Sequence, residues 1–261
     1  MITSASNKSI KNVQALLSKA KERKKQGVFV VEGPKMSFEA PYDWVSAVYM
    51  SESFFYDDRF KEEKKRFLDK TEIVSDSVFK SMSDTQTPQG VLAIVKMPHY
   101  EIDELFKGDK TELLVLESIQ DPGNLGTIIR LADWFGIEHI ICSSNTVDVY
   151  NPKTVQATMG GIARVKTYYT PLPDLIRSLG DIPVYGTFLD GKNIYGQPLS
   201  RNGLIVMGNE GNGISKEVEA LINQKLYIPN YPQERETSES LNVAIATAIV
   251  CAEFRRQAAS L

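Results

Sequence analysis

Leu204-Ile205-Val206-Met207-Gly208-Asn209-Glu210-Gly211-Asn212-Gly213-Ile214 is the stretch that decides the fold. An apolar strand hands over to a glycine-rich turn, and helix-forming residues follow from about residue 215. Glycines at a strand end let the backbone approach a ligand closely, and strand-to-helix junctions are where α/β proteins build their sites. A dinucleotide-binding turn is excluded on two counts. The spacing here is G-x-x-G-x-G rather than G-x-G-x-x-G, and the position twenty beyond Gly208 is Ile228 rather than an acidic residue.

The same strand-then-helix pattern extends in both directions. Strands are expected at 112–118, 138–142, 164–168, 182–187, 203–207 and 225–228, and helices at 124–135, 153–160, 172–179, 215–222 and 240–257. Strands alternating with helices imply a parallel sheet covered on both faces. Upstream, Ile10, Val13, Leu16, Leu17 and Ala20 recur at helical spacing, so residues 8–25 read as one amphipathic helix. Short strands at 28–31, 44–50, 73–74 and 91–95 follow, with helices to residue 40, over 52–68 and over 78–82 between them. The expected organisation is a smaller α/β domain over 1–97, a linker over 98–110 and a larger parallel-sheet domain over 111–261.

Composition narrows the function classes. The 261 residues are 42% apolar, enough for a substantial core, and no apolar run reaches the ~20 residues of a membrane helix. The first residues lack the apolar core of a secretory signal. Cys142 and Cys251 suggest no disulfide framework, so a reducing cytoplasm is the expected compartment. With two histidines, His99 and His139, and no cluster at ligand spacing, no metal site is expected. The net charge of −3 argues against a wholesale nucleic-acid binder, but residues 1–36 carry eight basic side chains against Glu22 and Glu32. Lys21, Arg23, Lys24 and Lys25 are therefore candidate RNA contacts, although a charge run is more often a solvated helix face.

Two further junctions accompany the first. Asp121-Pro122-Gly123-Asn124-Leu125-Gly126-Thr127-Ile128-Ile129-Arg130 follows the strand Leu113-Leu114-Val115-Leu116, and Ser240-Leu241-Asn242-Val243-Ala244 opens the final helix. Read singly they are unremarkable. Asn124 is an N-cap for the helix that follows it, Arg130 a surface arginine, Ser240 another N-cap, and Leu241 and Val243 core.

Together, in this order, the three segments resemble the signature motifs of the SpoU/TrmH branch of the SPOUT methyltransferases. The N-x-G-x-x-x-R pattern is complete in Asn124, Gly126 and Arg130, and N-E-G-x-G-I is complete in residues 209–214. Asn151-Pro152-Lys153-Thr154 through Gly160-Gly161 resembles the helix between those motifs. Residues 9–11, Val31-Glu32-Gly33 and Thr87-Pro88-Gln89-Gly90-Val91 resemble the substrate-binding domain of the branch, which is related to a ribosomal-protein α/β fold that grips kinked RNA. The resemblance covers nearly the whole chain. One departure is a longer spacing between Ile228-Pro229 and Ser240, with about four residues inserted over 230–239.

The resemblance implies a function and a site. The activity would be transfer of a methyl group from S-adenosylmethionine to a ribose 2′-hydroxyl of RNA, ribosomal RNA being favoured by the N-terminal domain. Arg130, Asn124, Ser240 and Asn242 would be catalytic, with Glu210 organising its loop rather than acting as a base. Gly208, Glu210, Gly213, Ile228, Pro229, Leu241 and Asn242 would surround the cofactor. It further implies a deep trefoil knot in the C-terminal domain and a homodimer formed through that domain. Cys142 and Cys251, on an apolar strand and an apolar helix face, fit ribose methylation better than the cysteine-nucleophile route to pyrimidine carbon. Transfer-RNA methylation and a catalytically idle RNA-binding or assembly factor of the same fold stay open on the sequence; failure to bind S-adenosylmethionine would single out the latter.

Overall fold

The computed structural model describes residues 1–102, 105, 112–232, 235 and 240–259. Most of the expected linker, and positions 233, 234 and 236–239 of the expected insertion, lie outside the described residues. The chain divides into two compact units, Met1–His99 with Tyr150–Ala163, and Tyr100–Val149 with Arg164–Leu261.

The first unit holds a four-stranded sheet of order β1-β4-β2-β3, made by β1 (Val28–Glu32), β2 (Val45–Ser51), β3 (Thr71–Val74) and β4 (Val91–Lys96). Strands β1, β2 and β3 run in one direction and β4 runs against its two neighbours. Ile10, Val13 and Leu16 from α1 (Lys8–Ser18), with Val78, Phe79 and Met82 from α6 (Asp76–Met82), close one apolar face, and the short helix α3 (Pro34–Glu39) follows β1. The short helix α8 (Pro152–Thr158) belongs to this unit, and Tyr150 just before it packs against Phe29 of β1 in a tilted pair with ring centroids 4.8 Å apart.

Two helices expected to be continuous are broken, and in each case a buried cation explains the break. Lys19 is extended (φ −126°, ψ 109°), so residues 8–25 divide into α1 and α2 (Ala20–Gln26). The last carbonyls of a helix lack internal partners, and Arg23 supplies them, its Nη1 donating to Leu16 O at 2.9 Å and Leu17 O at 3.4 Å. Residues 52–68 likewise divide into α4 (Glu52–Tyr56) and α5 (Lys61–Arg66), where the buried Lys64 ammonium donates to the carbonyls of Phe54 and Asp57.

Arg23, only 3% exposed, is therefore removed from the RNA-contact candidates, because its guanidinium is spent inside the fold. Lys21, Lys24 and Lys25 remain exposed on α2. Arg23→Ala is expected to cost about 2 kcal/mol of stability, the scale of a lost charged hydrogen bond at a buried acceptor, while Lys24→Ala leaves the melting temperature unchanged. Equal melting temperatures for the two variants would return Arg23 to a surface role.

The second unit is a six-stranded sheet of order β10-β8-β9-β5-β6-β7 in which every pairing is parallel. Its strands are β5 (Glu112–Leu116), β6 (His139–Cys142), β7 (Lys166–Tyr169), β8 (Val184–Asn193), β9 (Gly203–Met207) and β10 (Gln224–Tyr227). The central strands carry almost unbroken apolar runs, as strands covered on both faces do. On one side Leu113, Val115, Leu204 and Val206 pack with Leu172, Leu175 and Ile176 of α9 (Leu172–Ser178) and Val218 of α10 (Lys216–Glu219). The remaining helices are α7 (Pro122–Trp134) and α11 (Val243–Ala259), which pack on each other. Strand β8 runs six residues beyond its expected end at 187, pairing Lys192 and Asn193 with Leu226 and Tyr227 across an irregularity in β10. No helix among the described residues is long and apolar enough to cross a membrane.

Candidate functional site

Strands β5 and β9 are adjacent and parallel, so the turns after both emerge at the same edge of the sheet. The turn after β5 is tied down before α7 begins. Ser118 adopts a left-handed backbone (φ 57°), an uncommon conformation for a residue with a side chain. Its N–H donates to Ser143 Oγ at 2.8 Å, its Oγ accepts from Asn145 Nδ2 at 2.7 Å, and its carbonyl accepts from Asn209 Nδ2 at 2.8 Å. Next to it the buried Glu117 carboxylate accepts from the Ser215 N–H at 2.9 Å. The turns after β5, β6 and β9 are thereby locked to one another.

Helix α7 starts two residues earlier than expected, and this changes the role of Asn124. Asp121, not Asn124, is the N-cap. Its Oδ1 accepts from the Asn124 N–H at 2.8 Å, and Pro122 occupies the first helical turn, where its missing N–H costs nothing. The Asn124 side chain is free for other work, and its Nδ2 donates to Glu210 Oε1. The third motif is corrected in the same sense. Helix α11 begins at Val243, and Asn242 rather than Ser240 caps it, its Oδ1 accepting from the N–H groups of Ala244 (3.0 Å) and Ile245 (3.3 Å). With its oxygen committed to the helix, Asn242 must use Nδ2 as the donor, and it reaches Asn124 Oδ1 at 3.0 Å and Glu210 Oε1 at 2.9 Å.

One residue from each motif therefore meets the other two. Asn124, Glu210 and Asn242 close a hydrogen-bonded triangle between residues up to 118 positions apart in the chain. The loop holding Glu210 is itself closed. Asn209 and Gly213 exchange backbone hydrogen bonds of 3.0 and 2.8 Å, and Asn209 Oδ1 accepts from the N–H groups of Gly211 and Asn212 at 2.9 and 3.0 Å.

Beside the triangle lies a cleft of about 520 Å³, a volume in the range of small-molecule sites. Gly208, Glu210, Gly213, Ile228, Ser240 and Leu241, all named from sequence, line it. Pro229 and Asn242 do not line the cleft, and Asn242 bounds it only through the triangle. Sequence reading missed Thr187, Phe188 and Leu189 of β8, which form another part of the wall. A readable signal was Gly191, since a side chain there would meet the Leu226 backbone at 2.5 Å; the glycine marks a strand that continues past 187 to pass close to β10. At the edge of the cleft Lys225 bonds the Glu219 carboxylate and sits 4.6 Å from the Phe188 ring. The hydrogen bond to Glu219 holds the Lys225 ammonium above its ordinary range.

Arg130 is on α7, six residues and ~9 Å along the axis from Asn124. It is exposed and makes no hydrogen bond or ion pair with a described residue, so the triangle and Arg130 are not joined by a direct contact. Both thiols are buried, and burial pushes the Cys142 thiol well above its usual range, which leaves neither a ready nucleophile.

Comparison with known proteins supplies the family. A family model described as the SpoU rRNA Methylase family matches residues 112–252, and one described as an MRM3-like substrate binding domain matches residues 7–93. The chain is 31% identical to the 23S rRNA (guanosine(2553)-2′-O)-methyltransferase RlmP of Bacillus subtilis over 97% of this chain and 98% of that protein. Among solved structures, an AdoMet-bound rRNA methyltransferase from Sinorhizobium meliloti superposes with a TM-score of 0.85 at 27% identity, covering 98% of this chain and 97% of that one. The SpoU methyltransferase AviRb from Streptomyces viridochromogenes, in complex with the cofactor AdoMet, gives 0.82 at 25% identity over 97% and 99%. With three motif residues joined at one cleft and more than half the chain matched by the family model, this chain belongs to the SpoU rRNA methylase family.

Proposed function

We propose that this protein is an S-adenosylmethionine-dependent methyltransferase that modifies a ribose 2′-hydroxyl in ribosomal RNA. The observation that carries the reading is the Asn124–Glu210–Asn242 triangle beside the 520 Å³ cleft, in a chain of this family. The cleft suits the cofactor in shape and chemistry. Its glycine loop admits a close backbone approach, since a Cβ at Gly208 would fall 2.5 Å from the Gly213 carbonyl carbon. Leu226, Ile228, Leu241 and Val243 offer apolar surface to an adenine ring, and Glu210 and Glu219 supply negative charge for a sulfonium and an amino group. When bound, S-adenosylmethionine supplies an electrophilic methyl group to an acceptor oxygen held in line with it.

The protein's part is orientation and charge. The triangle fixes the three motif turns, so that the groups facing the acceptor are held before RNA arrives. A ribose hydroxyl is a weak nucleophile, and its oxygen gains negative charge as the new bond forms. Arg130 stays protonated under protein conditions, so its role is to stabilise that charge or pin the adjacent phosphate while the proton leaves to water. Asn124 and Ser240 orient the acceptor side, and Asn242 holds the loop through its cap.

Three finer features complete the proposal. Residues 1–97 are the RNA substrate-binding domain, 98–110 the linker and 111–261 the methyltransferase domain, the matched ranges 7–93 and 112–252 supporting the outer two. The methyltransferase domain carries the deep trefoil knot implied by family membership. The active form is a homodimer through α7 and α11. Trp134 (84% exposed) and Ile245 (53%) on these packed helices support that surface. The location that goes with a ribosomal substrate in this reading is the cytoplasm.

Incubating the protein with methyl-labelled S-adenosylmethionine and separated ribosomal and transfer RNAs tests the reading. Label recovered from ribosomal RNA as alkali-resistant 2′-O-methyl dinucleotides is the expected result. Label in transfer RNA alone would overturn the substrate, and no calorimetric binding of S-adenosylmethionine would leave only the idle factor.

A further inference from the structure

A second cleft, in the first unit, is remote in sequence from all three methyltransferase motifs. It measures about 980 Å³ and opens where β1, β2 and β3 end and β4 begins. The carboxyl ends of strands are where open α/β sheets take their ligands. The exposed lysines of α2 lie elsewhere, because α2 leads into the amino end of β1.

We propose that this cleft receives one unstacked nucleotide of a single-stranded segment of the RNA substrate, an inference that rests on the RNA-methyltransferase reading. Three features point to a base. The first is an aromatic wall: Phe38 and Phe54 are buried, and Phe60 stands 39% exposed over them, with ring centroids 5.8 and 6.0 Å away. Phe60 has a left-handed backbone (φ 58°), which a bulky residue adopts only when its surroundings impose it. Exposed aromatic faces are what unstacked RNA bases stack on.

The second feature is an uncommitted amide. Gln89 is exposed and forms no hydrogen bond with a described residue. Its Oε1 occupies the space over Gly33 (φ 93°), 2.7 Å from where a Cβ would sit. An amide offers two donors and an acceptor, the complement of a base edge.

The third is the charge. Lys35 and Lys80 are exposed at the cleft and unpaired among the described residues, so they are available to flanking phosphates. The whole lining, however, sets Lys35, Arg59 and Lys80 against Glu39, Asp57, Glu63 and Asp76. Asp57 is held by Arg59, and Asp76 accepts from the Ser53 hydroxyl and N–H and stays ionised, so three cations face four carboxylates and the lining is mixed in sign and near balance. A site for an inorganic anion would be one-signed. Balanced charge around an aromatic wall and a free amide selects a base, with the two lysines serving its backbone.

The test uses the full-length protein and a single-stranded RNA decamer carrying one 2-aminopurine, with adenosine 5′-monophosphate as the free-nucleotide arm. Binding of the decamer is expected to quench the fluorophore. Phe60→Leu, Gln89→Ala and the double variant Lys35→Gln/Lys80→Gln should each weaken decamer binding about tenfold, the scale of one lost stack or base contact. The same variants should raise KM for ribosomal RNA while leaving kcat and S-adenosylmethionine affinity unchanged. Gln89→Ala and the lysine variant alter only exposed side chains, so they remain informative if Phe60→Leu folds poorly. Unchanged decamer binding by those two variants would overturn the proposal, and adenosine monophosphate binding as tightly as the decamer would overturn the RNA strand as the ligand. Loss of methylation by the wild-type protein on every RNA would instead overturn the activity, a separate readout from decamer binding.

Discussion

Arg130→Ala is expected to lower kcat by at least about 10²–10³, the cost of removing one preorganised group that stabilises developing charge. Affinity for S-adenosylmethionine should stay within about twofold and the melting temperature should not move. The separation follows from where the side chain is. Arg130 is exposed on α7, makes no hydrogen bond or ion pair with a described residue, and does not line the cleft. A substitution at such a site changes stability by about 0.5 kcal/mol or less, so a loss of activity cannot be charged to unfolding. Arg130→Lys refines the assignment. A lysine is a point charge without the planar fork of arginine; it restores much of the rate if charge stabilisation suffices and little of it if a phosphate must be gripped in two places. Turnover retained by Arg130→Ala, measured as label incorporated into ribosomal RNA, would remove Arg130 from the mechanism.

The fold was more legible than the site's wiring. The alternation of apolar strands and helices gave the parallel sheet because strands covered on both faces must be apolar throughout, and that pattern is local in sequence. The two split helices were not legible. Residues 8–25 keep helical periodicity across Lys19, and the break depends on Arg23 reaching the end of α1 once the chain has turned. A charge count reads Arg23 as another basic surface residue; only its burial says otherwise.

At the site, the three motifs are legible, but the helix caps in the first and third of them are not. In the first and third motifs two capping residues compete, Asp121 with Asn124 and Ser240 with Asn242. Proline settles the first, since Pro122 suits the position directly after a cap, and that signal was present in the sequence. The second is settled by the apolar run, which starts directly after Asn242. The consequence for chemistry is larger than the shift of two residues. An Asn124 used as a cap would be spent on its own helix, whereas here it is free to meet Glu210 and Asn242. Hydrogen bonds spanning 32 to 118 residues leave no periodicity to read. The resemblance to a family names those residues together, and the fold brings them into contact.

Gly208→Ala should have the largest effect on the cleft, and its companion Gly211→Ala almost none. A Cβ at Gly208 would lie 2.5 Å from the Gly213 carbonyl carbon, 2.6 Å from Ile214 N and 2.7 Å from Gly213 O. All three are backbone atoms, so no side chain can swing aside. Relief requires opening the loop closed by the Asn209–Gly213 hydrogen bonds or displacing the end of β9. Two backbone hydrogen bonds at ~1 kcal/mol each and overpacking strain of ~1–3 kcal/mol put the cost at no less than about 3 kcal/mol. That corresponds to roughly a hundredfold loss in S-adenosylmethionine affinity if it falls on the loop, or a melting temperature lowered by several degrees if it falls on the fold. At Gly211 the nearest atom to an added Cβ is Asn209 Oδ1 at 3.6 Å, an ordinary contact. Two glycines three positions apart in one loop are thus expected to behave oppositely because only one lies against backbone. Calorimetric titration with S-adenosylmethionine and a thermal melt of both variants decide it, and equal behaviour in both measurements would mean that this loop does not form the cofactor's wall.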